Sequence, residues 1–61
     1  MKLKAYRESI GKTQKTCAEE LEITVVYYSD LERGVFEPGR KLVAKISKWS
    51  KGKVEQKDLW K

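Results

Sequence analysis

Hydrophobic residues recur at helical spacing along most of the chain. Leu3, Tyr6 and Ile10 lie at positions i, i+3 and i+7, which places their side chains on one face of a helix. Leu42 and Ile46 are spaced in a similar way, and lysines occupy the opposite face of that segment. The pattern predicts an all-α, compact five-helix fold. The predicted helices cover residues 2–10, 13–21, 24–33, 40–50 and, as a short last element, 55–59.

Residues that favour helix ends divide this pattern into segments. Thr13 and Thr24 each precede a helical segment, where a threonine hydroxyl can accept a hydrogen bond from a free backbone amide. Gly11 and Gly34 follow helical segments, and glycine readily ends a helix. Only Glu22 and Ile23 then remain to join the second and third helices. We therefore expect these two helices to meet at a tight turn.

The inward faces of the second and third helices supply much of the predicted core. Cys17, Ala18 and Leu21 share one helical face, and Ala18 is small enough to let another helix cross closely. Tyr28 and Leu31 are expected to point inward from the third helix. The later part of the chain is expected to add Leu42, Val43, Ile46, Trp49, Val54 and Leu59.

The loop after the third helix is partly apolar. Val35 and Phe36 stand next to each other, and Pro38 and Gly39 prevent the helix from continuing. We expect at least one of the two apolar side chains to fold back onto the core.

Length and cysteine content exclude several classes of protein. The 61 residues are enough for one domain, residues 1–61, with a single small core. One cysteine cannot form an internal disulfide, and the absence of histidine argues against a metal site. Cys17 is most simply a buried apolar residue in a reducing compartment, and the alternative is a reactive or dimer-forming thiol. We expect a cytoplasmic protein without membrane segment, metal, cofactor or small-molecule ligand.

The net charge of +5 is concentrated in the C-terminal third of the chain. Residues 1–22 carry a net charge of +1 and residues 23–38 carry −2, whereas residues 39–61 carry +6. A small basic domain suggests a polyanion as partner. The alternative is that the lysines only keep the domain in solution.

Several short motifs occur together along the chain. They are Gly11-x-Thr13-Gln14, Ala18-x-x-Leu21, Ile23-Thr24, Ser29-x-Leu31-Glu32-Arg33-Gly34, Pro38, Leu42-x-x-x-Ile46, Gly52-Lys53-Val54 and Asp58-Leu59-Trp60. In this spacing the chain resembles the Cro and phage-repressor (XRE-like) family of helix-turn-helix proteins. The resemblance implies a lambda-repressor-like domain that acts as a sequence-specific DNA-binding transcriptional regulator. It also implies a homodimer on a palindromic operator in double-stranded DNA, with the recognition helix, Thr24 to Arg33, in the major groove.

The resemblance further implies roles for individual residues. Arg7 and Glu32 match two family positions that form a structural ion pair, and such a partner would offset the cost of burying the Arg7 charge. Gln14 matches a position that contacts the DNA backbone. The base-facing residues would be Val25, Val26, Tyr27, Ser29 and Asp30. The phosphate contacts would come from Thr13, Gln14, Lys15, Thr24, Arg33, Arg40 and Lys41.

The reading surface departs from the family pattern. Val25 and Val26 carry no hydrogen-bonding group, so their base contacts would be limited to thymine methyl groups. Asp30 could accept from a cytosine amino group, but it also brings negative charge toward phosphates. Glu22 stands where the family often has glycine, which predicts either backbone strain or a shifted turn.

These departures support a second hypothesis, a protein-interaction module on the same scaffold with weak or no DNA binding. Tyr27, Val35 and Phe36, together with the two valines, would form an apolar patch for a partner, next to the acidic Glu37. Trp60 and the loop residues are candidates for a dimer surface. An enzyme is not expected, because the sequence offers no histidine and no evident pair of carboxylates at a cleft.

Overall fold

Five α-helices follow one another along the computed structural model, which describes residues 1–59. They are α1 (Leu3–Ser9), α2 (Gln14–Leu21), α3 (Val25–Arg33), α4 (Arg40–Trp49) and α5 (Gln56–Leu59). Residues 1–59 contain no strand, so the prediction of an all-α, five-helix fold is confirmed. Trp60, a candidate for the dimer surface, lies outside the described residues. In the described part of the chain, every helix is too short or too polar to cross a bilayer.

Side-chain caps begin α2 and α3, as the sequence predicts. Thr13 Oγ1 accepts a hydrogen bond from the Thr16 amide at 3.1 Å, and Thr24 Oγ1 accepts one from the Tyr27 amide at 3.1 Å. Each cap satisfies an amide that the helix itself leaves unpaired. Gly34 ends α3 with a left-handed φ of 70°. The bounds of both helices are therefore set by their own local sequence.

The core lies between α2 and α3 and is completed by side chains of the other three helices and by Val54 in the connection between α4 and α5. Apolar burial of this kind is the main favourable term in the folding of a small domain. The expected inward faces of α2 and α3 are buried, as are Val54 and Leu59. The buried apolar residues are Leu3, Tyr6, Cys17, Ala18, Leu21, Tyr28, Leu31, Val43, Ile46, Val54 and Leu59.

Three residues expected to face inward are placed differently, and one of them, Leu42, is only partly buried. Ile10 is 38% exposed, because α1 ends at Ser9 and Ile10 has left the helical conformation. Trp49 is only partly buried, and its ring meets the Tyr6 ring edge-on with the centroids 5.2 Å apart. The indole Nε1 of Trp49 donates to Glu20 Oε1 at 2.7 Å. The indole therefore spans from the core to the surface, where its N–H finds a partner.

A buried serine that the hydrophobic pattern does not indicate holds the connection between α4 and α5. Ser50 is 0% exposed, and its Oγ accepts a hydrogen bond from the Val54 amide at 3.0 Å. The backbone reverses through Lys51 and Gly52, which have φ values of 57° and 80°. This turn brings Val54 back into the core.

The turn between α2 and α3 passes through a left-handed residue that is not glycine. Glu22 has φ 60° and ψ 39°, a conformation that costs a non-glycine residue about 1 kcal/mol or more. The Ile23 amide still donates to the Ala18 carbonyl at 2.9 Å. Of the two expected outcomes, backbone strain and a shifted turn, the structure has the strained backbone.

Replacing Glu22 by glycine should stabilise the domain by roughly 0.5–1 kcal/mol, because glycine adopts the left-handed conformation without strain. The change also removes an ion pair with Lys45, but both side chains are solvent-exposed and the pair contributes little. Urea unfolding followed by circular dichroism measures the difference. Glu19→Gly is the control, since glycine within α2 should destabilise by about 1 kcal/mol. Equal effects of the two glycines would contradict this account.

Candidate nucleic-acid interface

The first turn of α3 points its side chains out of the domain. Val26 is 72% exposed, Val25 is 42% exposed and Tyr27 is 37% exposed, and we call these three residues the α3 tip. On the opposite face of the helix, Tyr28 and Leu31 are buried in the core. Because that face is fixed by packing, α3 holds the α3 tip in a defined orientation.

An aromatic stack links the α3 tip to the loop after α3. The rings of Tyr27 and Phe36 are nearly parallel, at 8°, and their centroids are 4.8 Å apart. Phe36 also packs against the core, whereas Val35 is 55% exposed. The prediction that at least one of these two loop residues folds back is therefore confirmed for Phe36. Stacking covers one face of the Tyr27 ring and restricts its motion.

The second turn of α3 is more polar and less exposed than the first. Ser29 and Asp30 are both half-buried. Asp30 Oδ1 accepts a hydrogen bond from Arg33 Nη2 at 3.1 Å, three residues further along the helix. A residue predicted to face bases is thus paired with one predicted to hold a phosphate. The Arg33 side chain is 65% exposed, so the pair is weak and can exchange for other partners.

The start of α2 offers a helix N-terminus and a lysine. Thr13 is the cap, Lys15 is exposed, and the first amides of a helix favour an anion because they lack partners within the helix. The side chain of Gln14 is half-buried, and its Nε2 donates to Glu32 Oε1 at 3.0 Å. A primary amide has two N–H donors, so one remains for a phosphate.

Behind this surface, Arg7, Gln14 and Glu32 are joined by hydrogen bonds, and we call these three residues the Glu32 cluster. The cluster connects the first three helices. Arg7 Nε donates to Glu32 Oε2 at 2.7 Å, and Arg7 Nη2 donates to Glu32 Oε1 at 3.4 Å. Arg7 Nη1 also donates to the Lys12 carbonyl at 3.2 Å. The Arg7 and Glu32 side chains are 16% and 3% exposed. Because both side chains are largely buried, water solvates neither charge well, and each charge is stabilised mainly by the other.

The proton equilibria of this region favour the charged pair. Burial tends to raise the pKa of the Glu32 carboxyl, but hydrogen bonds from Arg7 and Gln14 outweigh it and lower the pKa below its usual 4.5. The hydrogen bond to Glu32 raises the pKa of the Arg7 guanidinium. Burial also raises the pKa of the Tyr28 hydroxyl. That hydroxyl makes no hydrogen bond of ordinary geometry with other residues in the range 1–59.

Basic residues begin α4, directly after the loop that carries Phe36. Arg40 and Lys41 are exposed in the first turn of this helix. Lys45 follows one turn later, and its Nζ donates to Glu22 Oε1 at 3.2 Å. The start of α4 can therefore attract an anion with two side chains and with its first backbone amides.

A helix-turn-helix family model matches residues 3–48, from the start of α1 to the last turn of α4. The chain belongs to the Cro/XRE-like helix-turn-helix family. This is a family of DNA-binding regulatory proteins. No curated protein and no solved structure gave a match. In this helix-turn-helix protein, α2 and α3 form the motif, and the α3 tip lies at the start of its second helix.

Sequence reasoning missed two contacts of the helix-turn-helix protein that shape this surface. The hydrogen bond from Gln14 to Glu32 joins residues 18 positions apart, and the stack of Tyr27 on Phe36 joins residues nine positions apart. The only available signal for the stack was an aromatic residue shortly after Gly34, next to a helix with an exposed tyrosine. No local pattern indicates the Gln14 contact.

Glu32 should account for much of the acid sensitivity of folding. Because folding lowers its pKa, the unfolded chain takes up the proton first, and stability present above about pH 4.5 is lost as the pH falls through the folded-state value. We expect the urea midpoint of Glu32→Gln to change less than that of the parent between about pH 7 and pH 3.

Glu20→Gln is the control for this pH series. A hydrogen bond from Lys12 also lowers the pKa of Glu20, but that pair lies at the surface, where solvent screens it. Glu20→Gln should therefore flatten the pH dependence less than Glu32→Gln does. A Glu32→Gln variant that follows the parent at every pH would show that the Glu32 cluster does not couple folding to protonation.

Proposed function

We propose that this helix-turn-helix protein is a sequence-specific DNA-binding transcriptional regulator of the Cro/repressor type. The observation that carries the proposal is the outward α3 tip on a helix whose opposite face is buried. A helix with projecting N-terminal side chains fits the major groove of B-DNA, which is about 12 Å wide. The proposed base-facing residues are Val25, Val26, Tyr27, Ser29 and Asp30.

Phosphates on either side of the groove would be held by helix starts and exposed basic side chains. The starts of α2 and α4 each combine unpaired backbone amides with at least one cation, Lys15 in α2 and Arg40 with Lys41 in α4. The basic C-terminal third adds attraction at longer range. The proposed phosphate contacts are Thr13, Gln14, Lys15, Thr24, Arg33, Arg40 and Lys41.

A homodimer would let two copies of α3 read one operator. A single domain of this kind covers one half-site, and a two-fold dimer matches a palindrome whose half-site centres lie about 34–36 Å apart. Such a regulator would act on DNA in the cytoplasm.

A specific observation favours one other function, a protein-interaction module. Val26 and Val35 are both exposed, and the stacked rings of Tyr27 and Phe36 join the α3 tip to the loop. Exposed apolar groups of this kind are typical of protein interfaces. In such a module the partner would be another protein chain, and DNA would be bound weakly or not at all.

Affinity for a selected duplex should fall steeply as the salt concentration rises, because phosphate contacts release counterions. Lys15→Gln should weaken binding to all duplexes and reduce the slope of log K against log salt by about 1. Fluorescence anisotropy at several salt concentrations measures both effects. Lys57→Gln is the matched control, since Lys57 lies in α5 and is exposed. A flat salt dependence would favour the interaction module.

Selection from random duplexes at moderate salt should return an inverted repeat with half-site centres about 10 base pairs apart. The symmetry follows from a two-fold dimer that places one α3 in each of two successive major grooves. Sequencing of the selected pool gives the repeat, and sedimentation of the protein–DNA complex gives the number of chains. A pool without preferred sequence would contradict the regulator and favour the interaction module.

A further inference from the structure

The α3 tip is apolar at its most exposed position. Val26 is the most exposed of its three residues, at 72%, and Val25 adds a second aliphatic side chain. Neither valine can donate or accept a hydrogen bond. A base edge that meets this surface is read through its shape and its apolar groups alone.

Two polar side chains around the α3 tip already have partners in the domain. The Thr24 hydroxyl accepts a hydrogen bond from the Tyr27 amide, and the Asp30 carboxylate accepts one from Arg33. The Tyr27 ring is stacked on Phe36, so it is held beside the loop. Whatever hydrogen bonds the neighbouring side chains make, Val26 itself can offer a base only apolar contact.

Major-groove chemistry limits what such a surface can select. The base edges there present hydrogen-bond donors and acceptors, and the one apolar group is the methyl at C5 of a pyrimidine. A valine set against a donor or acceptor would remove water from that group without replacing the hydrogen bond, which is unfavourable. A valine set against a C5 methyl group buries apolar surface on both sides.

We infer that Val26, with Val25, selects operators that place a 5-methylpyrimidine at the centre of each α3 contact. The inference rests on the proposed function, because it specifies the base chemistry that the α3 tip reads. Thymine and 5-methylcytosine share this methyl group. Val26 is thus a specificity-determining residue that acts through a methyl contact.

The test removes single methyl groups from the selected duplex. Each thymine is replaced in turn by deoxyuridine, which keeps every base-pairing group and lacks only the C5 methyl. Fluorescence anisotropy should show a loss of affinity of about fourfold at one or more positions in each half-site, the factor expected for one buried methyl. The remaining positions should change little.

Two valine variants assign the methyl contact to a side chain. In Val26→Ala, the loss caused by deoxyuridine at the sensitive position should largely disappear, because the side chain that met the methyl is gone. Val35→Ala is the matched control, a valine that is 55% exposed in the loop after α3, and it should keep the full loss. Both sites are solvent-exposed, so both variants should fold.

A second arm separates the two sources of the methyl group. At the sensitive position, a duplex with 5-methylcytosine paired to guanine is compared with one carrying unmethylated cytosine. If the methyl alone is read, methylation should restore about the factor that deoxyuridine removes. If the methyl group raises affinity on thymine but not on cytosine, the contact is restricted to thymine, and the inference is supported for that base alone.

The outcomes distinguish this inference from the proposed function. If a selected duplex binds specifically and no deoxyuridine substitution weakens it, the methyl contact is overturned and the regulator stands. The methyl contact is also overturned, and the regulator stands, if deoxyuridine weakens the binding of Val26→Ala as much as it weakens the binding of the parent protein. If selection yields no preferred duplex, the regulator and the methyl contact both fall.

Discussion

The carboxylate of Glu32 is the constraint on which the positions of the first three helices depend. It lies near the end of α3 and accepts hydrogen bonds from Arg7 in α1 and Gln14 in α2. At 3% exposure it cannot exchange these partners for water, so the three helices keep one relative arrangement. Apolar packing alone would tolerate small shifts between helices, whereas a buried charge with directional partners does not.

The two ends of α3 place polar and apolar groups in an unusual way. An ion pair is buried near its C-terminal end, and Val25 and Val26 are exposed at its start. The buried ion pair and the packed side chains of Tyr28 and Leu31 orient the helix, whereas Val26, at 72% exposure, adds little to the core. Replacing Val26 should therefore cost little folding free energy.

The sequence was sufficient for the features that depend on neighbouring residues. The threonine caps and the buried faces of α2 and α3 follow from local rules, and the structure agrees with them. At Glu22 the family resemblance left backbone strain and a shifted turn open, and the structure has the left-handed residue. The residue pattern was insufficient where contacts join distant residues, and the pair of Arg7 and Glu32 was expected only from the family resemblance. The helical stripe of Leu3, Tyr6 and Ile10 also extended the first helix one residue too far, and Ile10 is exposed. No spacing rule could show that Phe36 stacks on the α3 tip.

The burial of Cys17 has a practical consequence. It is the chain's single cysteine and is 0% exposed, within the buried core. Burial also raises the pKa of its thiol, so the reactive thiolate is scarce in the native state. A thiol-directed label can reach this sulfur only when the core around it opens. The labelling rate of the unmodified protein therefore reports how often that part of the core opens.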